Sequence, residues 1–293
     1  MPLRPPSHPL PALLLGGLLA GLGALPLAPL GAARAALPEP TAGGAAGGKA
    51  SAGLAPGALG TTVLSQALPA ALSTAQLQGL ESALNARDDA ALTSLLQAGP
   101  GLDPGLLRQR RQLLRQQFPD ASWRVRPGQP LRDGRSTVTL QVSGSKVLGG
   151  STYRLDAQQT LILQSDGRHL IGQSLLSESS LLRSGEKVLP VLLQIPDTVL
   201  TGQRYDVDLI VQDPLDGALV AGGIAPVTPQ QVAAMESPPL ELGALGGGGL
   251  FKTVRAPQTP GSQTWAVLLV HPQGVVAATK RVRVVGDRRA LDP

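Results

Sequence analysis

Residues Thr152–Glu178 place two long strand-forming runs on either side of Asp166-Gly167, and this segment constrains the chain more than any other. Both turn residues tolerate positive φ, so the pattern predicts a tight antiparallel hairpin with a fixed register. A two-residue turn sets Leu163 opposite Leu170, Ile162 opposite Ile171, Gln159 opposite Ser174 and Thr160 opposite Gln173. The ribbon is then apolar near its turn and polar in its middle. The pairs Gln159–Ser174 and Thr160–Gln173 fall on opposite faces, so one of them is expected to face inward.

Upstream of the hairpin the apolar period is helical. Ser73 and Gln76 make a capping box, Leu72 can staple to Leu77, and Leu77, Leu80 and Leu84 share a face. Asp88 caps a short second helix, with Ala91, Leu92, Leu95 and Leu96 apolar and Gly99 at its end. Asp103-Pro104 opens a third, with Leu106, Leu107, Leu113, Leu114 and Phe118 on its buried side. Arg108, Arg110, Arg111 and Arg115 are expected on a solvated face. After Pro119-Asp120 the period becomes 2, with a strand over Ser122–Arg126 and another holding Val138, Leu140 and Val142.

Three motifs here resemble the nuclear transport factor 2-like (SnoaL-like) superfamily. They are Ala83-Leu84-Asn85-Ala86-Arg87-Asp88-Asp89-Ala90-Ala91-Leu92, Phe118-Pro119-Asp120 leading into a strand, and the hairpin around Asp166-Gly167. The resemblance covers roughly residues 70–180 and implies an α+β cone, helices packed on a curved antiparallel sheet around a cavity. Enzymes of that family use an Asp or a His–Asp pair in the cavity, and none can be placed here. Asp156 and His169 read as solvent-facing. The pocket candidates are Trp123, Tyr153, Gln159, Thr160, Gln173 and Ser174.

From residue 184 onward no helix is expected. Val188–Ile195 is interrupted by Pro190 and suits an edge. Tyr205, Val207, Leu209 and Val211 alternate inward, Asp213–Gly217 turns, and Ala218–Ala225, Leu250–Arg255, Thr264–Val270 and Val275–Val285 complete an all-β sandwich. The pattern resembles immunoglobulin-like domains of bacterial exported proteins, with Trp265 as core aromatic. Asp206, Asp208, Asp213 and Asp216 lack calcium-loop spacing, and the Gly246–Gly249 run lacks the Lys-Ser/Thr of a phosphate loop.

Residues 1–35 read as a signal peptide: Arg4, an apolar Leu10–Gly31, then Ala33-Arg34-Ala35 before Ala36. An uncleaved anchor is the competing reading, and Pro11, Pro26 and Pro29 weaken a continuous helix. Residues 36–62, mostly Ala, Gly and Pro, read as a disordered tether. The expected organisation is thus 1–35 signal peptide, 36–62 tether, 63–183 cone, 184–285 sandwich and 286–293 tail.

Composition narrows the chemistry. The chain has no cysteine, which excludes disulfides, thiolate catalysis and Cys-ligated metals, and only three histidines, His8, His169 and His271. Net charge is +5 over the whole chain, too weak for a nucleic-acid partner on charge alone. No cofactor, metal, nucleic acid or transmembrane helix in the mature chain is expected. The expected function is an exported non-enzymatic binding or adaptor protein, in the periplasm or, in a photosynthetic host, the thylakoid lumen. Its cone offers a ligand pocket or dimer surface, and its sandwich a protein-contact surface. The expected partners are a small-molecule ligand, a partner protein or a second copy. The alternative is a cofactor-independent isomerase or lyase using the cone cavity.

Overall fold

The computed structural model describes residues 72–185, 189–212, 220–245, 248–272 and 274–291. The expected signal peptide and the expected tether, like the Asp213–Gly217 turn and Gly246-Gly247, lie outside the described residues. The chain runs α1 (Thr74–Asn85), α2 (Ala90–Leu95), α3 (Pro104–Gln117), β1 (Ser122–Pro127), β2 (Val138–Leu148), β3 (Ser151–Ser165) and β4 (Leu170–Ser184). It continues through β5 (Val191–Gln194), β6 (Thr198–Leu200), β7 (Arg204–Val211), β8 (Val220–Val227), α4 (Pro229–Ala234), β9 (Gly243–Leu245), β10 (Gly249–Arg255), β11 (Gly261–His271) and β12 (Gly274–Val285). A short 3-10 turn, Arg288–Ala290, follows.

The capping chemistry is as local as the sequence suggests. Ser73 Oγ accepts from the Gln76 N–H and Gln76 Oε1 accepts from the Ser73 N–H, closing the box at α1. Asp103 Oδ1 accepts from the Gly105 and Leu106 N–H groups at 2.8 and 3.0 Å, with Pro104 at the first position of α3. The Pro-rich loop hides one helix that the sequence reading left out. Thr228 and Gln231 cap α4 in the same reciprocal way, and the Thr-Pro-x-Gln spacing was the available signal.

The strands form one large sheet in the order β1-β2-β3-β4-β12-β11-β8-β9, with β6 added in parallel on β12, and a small sheet β10-β7-β5. This overturns the expected α+β cone with a separate sandwich: the protein is mostly antiparallel sheet, with nine strands in the large sheet and three in the small one among the described residues. The physical reason lies in one long-range pairing. β4 does not end its sheet but pairs with β12 from Arg183↔Val276 to Glu178↔Arg281, so the C-terminal strands extend the sheet built by β1–β4. Nothing local in either strand specifies that partner.

The central hairpin also differs in register. Ser165 pairs with Leu170 and Leu163 with Gln173, and two irregularities then bring Gln159 opposite Glu178 and Thr160 opposite Ser177. The loop is longer than two residues because Asp166 organises it. Its Oδ1 accepts the Arg168 and His169 N–H groups at 2.8 and 2.7 Å, and its own N–H donates to the His169 carbonyl. These hydrogen bonds lower the Asp166 pKa to about 2. The tight two-residue turn belongs instead to β2–β3, where Gly149 and Gly150 hold φ of 59° and 80°.

Two faces of the large sheet are buried differently. Leu140, Leu155, Leu161, Leu163 and Leu182 point to the helices and pack with Leu80, Leu84, Leu107 and Leu114. On the opposite face, Val267, Leu269, Val276 and Ala278 meet Leu209 and Val211 of the small sheet. Beside them Trp265 packs with Tyr205 and Val207, its indole N–H donating to the Tyr205 hydroxyl at 2.9 Å. No helix among the described residues is long and apolar enough to cross a membrane.

Candidate functional site

The arginines of α3 are not a solvated face. Arg110 and Arg111 are 4% and 2% exposed, because positions 107, 110, 111 and 114 form one stripe against the sheet. Arg111 satisfies the end of α1: its Nε donates to the Leu84 carbonyl at 2.8 Å, and its other nitrogens reach the Ala86 carbonyl and Asp89. Arg115 donates to the Asn85 carbonyl at 2.8 Å. The last carbonyls of a helix have no intrahelical partner, so two cations there meet both a hydrogen-bonding and a dipole requirement. Both guanidinium groups also lie over the Trp123 ring, 5.9 and 5.2 Å from its centroid. Along the free edge of β1, Asn85 exchanges two hydrogen bonds with the Trp123 backbone and Glu81 accepts the Val125 N–H.

A second polar group runs across the sheet under α3. Gln159, Glu178 and Arg281 stand opposite one another on β3, β4 and β12. Gln159 donates to Glu178, and both are buried. In the next row Ser180 and Thr279 share a hydrogen bond of 2.6 Å. Burial pushes the Arg110 and Arg281 pKa values down, while the Glu178 carboxylate opposes that shift at both. This row joins helix to sheet, and it contains neither nucleophile nor acid–base pair at an opening.

Beyond Glu178↔Arg281 the two strands part. β12 continues with β6 on that edge, whereas β4 bulges at Leu176 and stays with β3. The fork opens into a groove of about 610 Å³ lined by Ile162, Ser174, Leu175 and Leu176, with Arg132 and Arg135 from the β1–β2 loop and Arg283, Arg288 and Arg289 from the C-terminal segment. Two carboxylates, Asp133 and Asp287, stand among these five arginines. Both are engaged locally: Asp133 accepts from Arg135 Nε at 2.6 Å, and Asp287 caps the 3-10 turn by accepting the Arg289 N–H at 2.9 Å. Burial lowers the Arg283 pKa, and the neighbouring Arg281 and Arg135 charges lower it further. The groove thus concentrates positive charge that repels itself.

Of the expected pocket residues, only Ser174 lies in this groove. Trp123 is core beneath the α3 arginines. Tyr153 is half-buried at the far end of the hairpin, Gln159 sits in the buried row, and Thr160 is half-buried on the opposite face. Gln173 is buried and donates to the Gly101 carbonyl at 2.7 Å. The structure therefore does not gather the six. Asp156 is exposed and paired with Arg183 at 2.9 Å, and His169 is exposed beside Asp166. The groove arginines escaped the sequence reading because four of them come from the β1–β2 loop and the segment after β12, and the fifth, Arg283, sits near the end of β12. The Arg132-Asp133-Gly134-Arg135 and Arg288-Arg289 clusters were the only cue.

The molecule is thus a two-sheet antiparallel β protein with helices on one face and a cationic groove at a fork in its large sheet. A family described as Domain of unknown function (DUF8623) matches residues 186–285, about a third of the chain. No curated protein matches the chain. The matched part holds the small sheet and β12 with Arg283; the other groove arginines lie outside it.

Proposed function

We propose that this chain is an exported, non-enzymatic binding protein whose fork groove takes an anionic ligand. One observation carries the reading. Five arginines converge on an open groove in which the only two described carboxylates are already engaged. Arginine clusters gather anions through charge and forked hydrogen bonding. The groove volume is in the range of ligand sites. Engaged carboxylates also favour binding over acid–base chemistry.

The test is fluorescence anisotropy of a labelled oligoglutamate with the full chain, with inorganic tripolyphosphate as competitor. Saturable binding that weakens with salt and drops at least about tenfold in the Arg288→Glu, Arg289→Glu double variant is expected. Binding unchanged by that variant, or no binding of either anion, overturns the proposal.

A further inference from the structure

We infer that the groove takes an extended acidic peptide by strand addition to β4. This rests on the groove being the binding site and specifies what it binds.

The outer edge of β4 is occupied on both sides of a gap. On one side the segment before α3 lies along it: the Gln97 N–H donates to the Leu170 carbonyl and the Gln173 N–H to the Pro100 carbonyl, each at 2.9 Å. That approach needs glycine, because a Cβ on Gly99 or Gly101 falls 1.8 or 2.3 Å from the carbonyl oxygen of Ile171 or Gln173. On the other side β12 takes over at Glu178. Between them Ser174, Leu175, Leu176 and Ser177 pair with no strand on that edge among the described residues. Ser174 is exposed and Leu175, Leu176 and Ser177 are half-buried, and the first three line the groove.

Each strand residue carries a donor and an acceptor, and an unpaired edge is a template for another chain. Proteins read extended segments this way, taking affinity from backbone bonds and specificity from alternate side chains. A strand laid into this gap alternates its side chains by face. One set meets Ile162, on the face away from the helices. The other meets the rim formed by Arg135, Arg283, Arg288 and Arg289. The complementary ligand alternates small apolar with acidic residues. The bulge at Leu176 keeps the open edge short, so the groove suits a brief segment and resists continuous edge-to-edge association.

The experiment uses the full chain and a short blocked peptide alternating glutamate and valine, in three forms: unmodified, N-methylated at one alternate set of backbone nitrogens, and N-methylated at the other. The unmodified peptide is expected to bind. One methylated set should lose about tenfold or more, since it removes the N–H groups aimed at β4, while the other should change less than about twofold. The Arg288→Glu, Arg289→Glu variant, on exposed side chains, should weaken all forms. If both methylated sets bind like the parent while oligoglutamate still binds the groove, strand addition is overturned and the anion site stands. If neither the peptide nor any anion binds, both readings fall.

Discussion

Over β1–β4 the large sheet is covered by three helices, and over β12, β11 and β8 its other face is covered by a second sheet. The helix-covered half contains buried Arg110, Arg111, Gln159, Glu178 and Gln173, whereas the inter-sheet clusters are almost wholly aliphatic, with Trp265 and Tyr205 the exceptions. The difference follows from backbone bookkeeping. Sheets satisfy their own N–H and C=O groups laterally, so a sheet-on-sheet interface can be dry. Helices arrive with unsatisfied ends, and here the Leu84, Asn85 and Ala86 carbonyls at the end of α1 are met by Arg111 and Arg115 of α3, which brings the Arg111 guanidinium into the packed layer.

Four changes sharpen that contrast. The largest effect is expected from Glu178→Ala, which leaves the Arg110 and Arg281 charges without the carboxylate between them. Removing one member of such a buried group costs about 3–5 kcal/mol, and adding Arg281→Met should restore part of it. Denaturant unfolding checks both, and equal stability of the single and double variants would show that the two groups do not communicate. Next, Leu209→Ala removes a fully buried side chain between the sheets and should cost about 2–5 kcal/mol, with no suppression by polar-row substitutions. Coupling between Leu209 and Glu178 in a double-mutant cycle would break the picture of two independent burial modes.

Arg111→Met keeps the packing stem and removes the guanidinium from the Leu84 and Ala86 carbonyls. It should destabilise by about 1–3 kcal/mol, with faster amide exchange concentrated in the last turn of α1. The smallest effect concerns the exposed β3–β4 loop. Because Asp166 is depressed to about 2 in the folded chain, its hydrogen bonds contribute above the ordinary carboxylate range and are lost as pH falls through about 2. A side-chain NMR titration should place its midpoint near that value. A midpoint near that of a free aspartate would mean that the loop is not closed by the Arg168 and His169 N–H groups.

Legibility in the sequence tracked the range of the interaction. The caps at Ser73 and Asp103, the central strands and the inward alternation of Tyr205, Val207, Leu209 and Val211 were readable, because each depends on neighbours within a few residues. The α3 arginines were misread since charge normally signals solvent, and nothing local reveals that a helix end lies in reach. The hairpin register failed for a subtler reason. Asp166-Gly167 does mark the turn, but the Asp166 side chain closes a longer loop, and two bulges shift everything beyond it. The pocket residues inferred from that register therefore did not converge.

The sequence by itself determined the helix caps, most strand positions and the exclusion of cysteine chemistry, since backbone preference, alternation and composition are local properties. Only the tertiary structure decided that β4 pairs with β12 and that the two then part. That choice depends on the summed burial of residues about a hundred positions apart in sequence, which no local pattern encodes. The groove, its arginines and the short open edge of β4 all follow from it.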